Sequence, residues 1–166
     1  MFDRIILDPP CSGLGNRPRF DDDMTLPNLL GFSVYQKKLV DVAVRLLKVG
    51  GTMTYSTCTI HPEENEEMVA FILEKYGKSI KLAPIPSKFF LGLPVCCDSW
   101  SSLRFFSFMD HHLQGLSTSS LTAEQQQMVQ RFDPGHDKTD TIGFFIAKFE
   151  KIAEISVAAA TATSDA

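Results

Sequence analysis

Two consecutive prolines, Pro9 and Pro10, fix where the first element of this chain ends. Neither offers a backbone N–H, and each drives the residue before it out of the helical region. Phe2 to Leu7, just ahead of them, therefore reads as a short strand of the apolar kind buried in parallel sheets. Asp8 to Gly15 must be loop at the carboxyl end of that strand, the edge at which open α/β sheets bind their ligands.

Downstream, Asp21 to Gly31 reads as loop. Tyr35 to Lys48 then places Leu39, Val40, Ala43, Leu46 and Leu47 at the spacing of an amphipathic helix, with Gly50 and Gly51 as its stop. Thr52 to Ser56 suits a second strand, which gives the order of a parallel βαβ unit. Cys58 lies just beyond it. If the two strands are neighbours, the loops carrying Cys11 and Cys58 leave the same edge of the sheet.

A helix is expected from Pro62 to Tyr76, with Thr59 or His61 as cap, Gly77 as stop, and an inner face of Met68, Val69, Ile72, Leu73 and Tyr76. Glu63, Glu64, Glu66 and Glu67 read as charges matched to the positive helix end, with Asn65 the residue to watch among them. Ser79 to Leu82 suits a strand, Thr122 to Arg131 a polar helix, and Asp140 to Lys151 a strand bearing Phe144, Phe145, Ile146 and Phe149. Between them, residues 83–115 read as an irregular insertion. The expected fold class is α/β, a mostly parallel sheet with flanking helices over residues 1–151, followed by a disordered tail at 152–166.

With 166 residues, of which 44% are hydrophobic, the chain can bury one modest core. No apolar run is long enough to span a bilayer, and the N-terminus lacks the layout of a signal peptide, so a cytoplasmic or nuclear protein is expected. The four cysteines, Cys11, Cys58, Cys96 and Cys97, have neither disulfide-framework nor zinc-ligand spacing; reduced thiols and no metal are expected. A net charge of −4 implies weak binding of nucleic acid by this chain alone, because that affinity comes from Lys and Arg neutralising phosphates.

Two thiols and a carboxylate, Cys11, Cys58 and Asp8, thus gather at one edge. The thiolate is the nucleophilic form of cysteine, and a helix starting near Pro62 would favour the anion at Cys58 by roughly 0.3 to 1 kcal/mol. Such a set suits chemistry on an unreactive ring carbon: a thiolate adds beside it, a carboxyl group faces the ring nitrogens, and a second ionisable group assists release. Carbon 5 of cytosine makes these demands.

The motifs resemble one family. Asp8-Pro9-Pro10-Cys11-Ser12-Gly13, Tyr55-Ser56-Thr57-Cys58-Thr59 with Glu63-Glu64-Asn65-Glu66, Gln130-Arg131-Phe132-Asp133-Pro134 and Gly143 to Phe149 are similar, in this order, to the Nop/Sun group of RNA cytosine-5 methyltransferases. The last two blocks look most like the subgroup that modifies the acceptor end of transfer RNA and carries a separate RNA-binding domain upstream. The resemblance implies a Rossmann-like fold, S-adenosyl-L-methionine as cofactor and RNA, with tRNA expected, as partner. It also implies that Cys58 attacks, that Cys11 helps resolve the adduct, that Asp8 contacts the target cytosine and that Pro9 and Pro10 lie beside the donor. Family members carry an earlier half that holds the donor, so this chain is expected to be the carboxyl half of such a domain.

Plainer readings stand beside these. Free cysteines are often just small buried residues, and Asp8 can cap its own turn. Arg17 and Arg19 could meet RNA phosphate or remain a solvated loop. Gly13-Leu14-Gly15 is a G-x-G without a helix after it, a poor phosphate cradle. His111 and His112 have no assigned role, and Phe144 and Phe145 suit a core strand better than base stacking. An Asp-Pro-Pro-aromatic motif would indicate nitrogen methylation, but position 11 is cysteine. The alternatives of another class are an inactive remnant serving as an interaction module and a Cys11–Cys58 redox pair.

Overall fold

The computed structural model describes residues 1–17, 24–85, 115–116, 120–135 and 141–155. Arg19, Cys96, Cys97, His111, His112, most of the expected insertion and residues 156–166 of the expected tail lie outside the described residues.

The elements are β1 (Phe2–Leu7), α1 (Leu26–Leu46), β2 (Leu47–Thr57), a 3-10 turn (Pro62–Glu64), α2 (Glu66–Tyr76), β3 (Ile80–Ala83), α3 (Ala123–Met128), β4 (Gln130–Phe132) and β5 (Phe144–Lys151). They form an α/β unit with a five-stranded sheet in the order β1-β2-β5-β3, with β4 also on β5. β1 and β2 are parallel, with Leu7 opposite Tyr55, as the βαβ reading requires. β5 runs antiparallel to β2, and along its other edge β3 and β4 pair end to end, also antiparallel. The sheet is therefore mixed rather than mostly parallel. A parallel neighbour for β2 would need a crossover back to the starting end, whereas β5 enters from the edge where β2 ends.

The core lies between the sheet and helices α1 and α2. Val40 and Val44 of α1, Met68 and Ile72 of α2, and Met53, Tyr55, Phe145 and Phe149 of the sheet are fully buried. Their spacing on each element is what aligns them, four residues apart on the helices and two or four apart on the strands. Lys151 is also buried, and its ammonium donates to the carbonyl oxygens of Val44 (3.4 Å) and Leu47 (2.7 Å), beyond which α1 has no further turn to satisfy them. Asp41 of α1 ties the two helices together by accepting from Lys75 (2.9 Å) and from the Tyr76 hydroxyl (2.6 Å).

Several boundaries differ from expectation. α1 starts at Leu26, so residues expected as loop are helical: Thr25 accepts from the backbone N–H of Asn28, Pro27 sits in the first turn where no N–H is missed, and Gly31 faces open space. β2 follows α1 without a gap. Between Phe2↔Leu47 and Arg4↔Thr52 the register slips, and Gly50 takes a left-handed φ of 81° in the resulting bulge. The expected helix from Pro62 is broken at Asn65, whose φ and ψ of −117° and −95° separate the 3-10 turn from α2, and neither Thr59 nor His61 caps it through a side chain.

β1 is not buried as expected. It lies at the sheet edge, and Ile6 is 83% exposed. The polar helix ends at Met128, since Gln130 to Phe132 pair with β5 instead. Ala83 belongs to β3 rather than to an insertion. Residues 152–155 are not loose, because Ser79 accepts from the N–H of Ile152 (2.8 Å) and donates its hydroxyl to the Glu154 carbonyl (2.8 Å).

Candidate active site

β1 and β2 end side by side, so Asp8 to Ser12 and Cys58 to Thr59 emerge at one edge. Cys11 Sγ lies 3.3 Å from Cys58 Sγ, both half-buried. Asp8 is exposed beside them, its Oδ1 accepting from the Ser56 hydroxyl at 3.2 Å. Pro9 is buried, and the carbonyl of exposed Pro10 accepts from the Gln36 amide at 3.0 Å.

Burial, followed by the hydrogen bond with Cys58, pushes the Cys11 thiol up to about 11. At neutral pH Cys11 keeps its proton and can donate it toward the Cys58 sulfur. The Asn16 amide is a second donor, with Nδ2 3.5 Å from Cys58 Sγ. The helix expected to support an anion at Cys58 does not begin at Pro62 but at Glu66, so these two side-chain donors stand where the helix end was expected. Asn16 was missed in the sequence. Its only signal there was its place after Gly13, whose φ of 65° lets the chain turn so that Asn16 N–H reaches the Gly13 carbonyl.

The glutamates are not all surface charges. Glu64 and Glu66 are fully buried along with Asn65. Glu64 Oε2 accepts from the Ser12 N–H (3.0 Å) and from Gln36 Nε2 (2.8 Å), while the Glu64 carbonyl accepts from the Tyr55 hydroxyl (2.7 Å). Asn65 accepts from the Thr57 hydroxyl (2.6 Å) and donates to the Thr59 carbonyl (3.0 Å). The Ser12 and Thr59 hydroxyls are hydrogen-bonded to each other at 2.7 Å.

Glu66 holds Arg131 in a two-pronged pair, at 2.7 and 3.0 Å, and the third prong of that guanidinium donates to the Ile60 carbonyl at 3.0 Å. The Gln130–Pro134 motif thus braces the loop after Cys58. Gly15 braces it from the other side: its N–H donates to the Cys58 carbonyl (3.0 Å), and its carbonyl accepts from Gly143 N–H (2.8 Å). A Cβ on Gly15 would overlap the Gly143 carbonyl, so the second glycine of the G-x-G permits a loop contact.

Arg17 is exposed at this edge and donates to the Thr141 carbonyl at 2.8 Å. Among the described residues, no three His, Cys, Asp or Glu side chains gather as metal ligands, and no helix is long and apolar enough to cross a membrane. For S-adenosylmethionine, the described residues are a poor fit by themselves. The Pro10 carbonyl is taken by Gln36, and Gly15 is committed to the loop that carries Cys58. What they do form is a wall bearing two thiols, a carboxylate and an amide, suited to gripping and attacking a polar ring.

A family model described as 16S rRNA methyltransferase RsmB/F matches residues 1–150. The chain is 43% identical over 150 residues to the rRNA (cytosine-C(5))-methyltransferase NOP2C of Arabidopsis thaliana, covering 89% of this chain and 22% of that protein. It is 41% identical over 155 residues to the tRNA (cytosine(72)-C(5))-methyltransferase NSUN6 of Mus musculus, covering 90% and 31%. Its backbone matches the crystal structure of NSun6 from Pyrococcus horikoshii with SFG at a TM-score of 0.60 and 31% identity, over 90% of this chain and 30% of that one. The chain therefore spans about a fifth to a third of the length of these proteins.

Proposed function

The chain belongs to the RsmB/F family of RNA methyltransferases, and from that membership we propose that it forms the cytosine-facing wall of an RNA (cytosine-5) methyltransferase acting on tRNA. The observation that carries this reading is the approach of Cys11 to Cys58 at 3.3 Å, on the edge that also bears Asp8. Cytosine-72 tRNA enzymes that match 90% or more of the chain support tRNA as substrate, and the rRNA enzyme NOP2C, 43% identical over 89% of it, supports rRNA as the second reading. S-adenosylmethionine supplies the methyl group in this family; its binding site is assigned to no residue here beyond the edge position of Pro9 and Pro10.

The thiolate of Cys58 adds to carbon 6 of an unstacked cytosine, forming the S–C6 bond and moving the C5=C6 electron pair toward carbon 5, which becomes nucleophilic. Unstacking costs a few kcal/mol, roughly, and less at an unpaired end. Asp8 faces the ring nitrogens, accepting from the exocyclic amine and sharing a proton with nitrogen 3, and that proton neutralises the negative charge that addition places on the ring. Once carbon 5 carries its methyl group, its remaining proton passes to solvent water or to Cys11 as that thiol gives its own proton to Cys58. The electron pair of that C–H bond re-forms C5=C6 and expels Cys58. Cys11, whose thiol is within hydrogen-bond reach, protonates or steadies the departing sulfur. Arg17 contacts RNA phosphate in this reading, and the same role is proposed for Arg19.

The full-length protein, incubated with tRNA and S-adenosylmethionine, provides the test. Cys11→Ala should accumulate a denaturation-stable RNA–protein adduct, and Cys58→Ala should give neither adduct nor methylated cytosine. An adduct in the Cys58 variant alone would reverse the two roles, and normal methylation by both variants would end the reading.

A further inference from the structure

The residues on each side of each cysteine are held by one buried network made of Gln36, Glu64 and Asn65. Around Cys11, the carbonyl of Pro10 accepts from Gln36 and the N–H of Ser12 donates to Glu64, with Gln36 and Glu64 themselves joined at 2.8 Å. Around Cys58, the hydroxyl of Thr57 donates to Asn65 and the carbonyl of Thr59 accepts from it. Glu64 and Asn65 are adjacent, are both 0% exposed, and lie where the 3-10 turn gives way to α2. The Tyr55 hydroxyl, near the carboxyl end of β2, donates to the carbonyl of Glu64 and ties this stretch to the sheet.

We propose that Glu64 and Asn65 are positioning residues that together set the distance between the two thiols, Glu64 by holding the Ser12 N–H and the Gln36 amide that in turn holds the Pro10 carbonyl, and Asn65 by holding the Thr57 hydroxyl and the Thr59 carbonyl. Their role is specific to the pair. Glu64 reaches the Cys11 loop across 52 residues of sequence, whereas Asn65 acts on its own loop, so a shift in either moves one sulfur relative to the other. The break at Asn65 is part of the device. In an uninterrupted helix consecutive side chains diverge by about 100°, too far apart to serve two loops lying side by side. A buried carboxylate is costly unless it is hydrogen-bonded; Glu64 Oε2 accepts from the Ser12 N–H beside Cys11 and from Gln36, while its Oε1 has no partner among the described residues.

This inference rests on the reading of Cys11 and Cys58 as a working pair, and its test uses neither RNA nor methyl donor, so the two can fail separately. Dibromobimane becomes strongly fluorescent when it bridges two neighbouring thiols, and iodoacetamide with peptide mapping reports each thiol singly. In the whole chain, Glu64→Ala and Asn65→Ala should slow bridging of Cys11 to Cys58 by at least tenfold while both thiols remain singly reactive. Glu64→Gln, which retains an acceptor for Ser12 and Gln36, should restore most of the rate. Glu63→Ala, an exposed neighbour, should leave it unchanged. If Glu64→Ala does not fold, Gln36→Leu carries the same question, because it frees the Pro10 carbonyl and should slow bridging several-fold. Bridging at the wild-type rate in the folded alanine variants, or in Gln36→Leu, would overturn the proposal. So would a loss in Glu64→Ala that Glu64→Gln fails to repair.

Discussion

The Sγ atoms of Cys11 and Cys58, 47 residues apart in sequence, meet at 3.3 Å because parallel strands β1 and β2 end together. Two thiols this close form a disulfide when oxidised. Treatment with hydrogen peroxide should convert them to a Cys11–Cys58 disulfide, releasing two water molecules per peroxide and pair of thiols consumed, one oxygen in each. Peptide mapping should find the crosslinked peptides, and dithiothreitol should return both thiols. Separate sulfinic acids with no crosslink would contradict the close approach.

The raised Cys11 thiol gives a pH signature. Its alkylation rate should climb about tenfold per pH unit without levelling until near pH 11, whereas a thiol at the ordinary 9.0 levels two units earlier. The folded chain keeps this proton where the unfolded chain releases it. Its contribution to stability is therefore fully present below pH 9 and is lost as pH rises toward 11. A plateau in Cys11 alkylation near pH 9 would refute the desolvation that drives this shift.

Arg131 and Glu66 are both buried, 6% and 0% exposed, so removing one leaves the other charged and uncompensated. Arg131→Met should cost about 3 to 5 kcal/mol in denaturant unfolding. The double variant Glu66→Leu/Arg131→Met should recover much of that loss, although the Leu116 N–H that Glu66 also accepts will then lack its partner. Equal losses in single and double variants would place the cost in packing rather than charge.

Gly15 and Gly143 touch through their backbones, and a methyl group on either has no room. On Gly143 it would meet Ile60 and the Cα of Gly15, the latter at 2.8 Å. Gly143→Ala should destabilise the chain by about 1 to 3 kcal/mol and loosen the loop after Cys58, seen as faster amide exchange at Gly15. Gly31→Ala, with nothing within 4 Å of the added carbon, should instead stabilise by about 0.5 to 1 kcal/mol.

Much of the architecture around the site was legible in the sequence. Pro9 and Pro10 ended β1 at the right residue, Val40 and Ala43 of the helical pattern lie on the face that α1 buries although Leu46 is exposed and Leu47 opens β2, and the strand-helix-strand order put both cysteine loops at one edge. Less could be read where polar residues are buried. Hydrophobic periodicity reports burial through apolar side chains, so four glutamates in five positions look like a solvated helix start. Whether Glu64 is inside depends on Ser12 and Gln36 being there to satisfy it, and those partners lie 52 and 28 residues away.

The sequence by itself determined the local events: where strands stop, which helix faces are apolar, and which residue types stand at the strand ends. Backbone sterics and side-chain polarity act over a few residues, so they can be read from neighbours. Only the tertiary structure decided that β5 pairs antiparallel with β2, that Asn16 turns back to Cys58, and that Glu64 holds the Ser12 N–H and Asn65 the Thr57 hydroxyl. These depend on hydrogen bonds between groups far apart in the chain, whose value is set by mutual burial and geometry. No local pattern carries that information, because each partner alone would be better off in water.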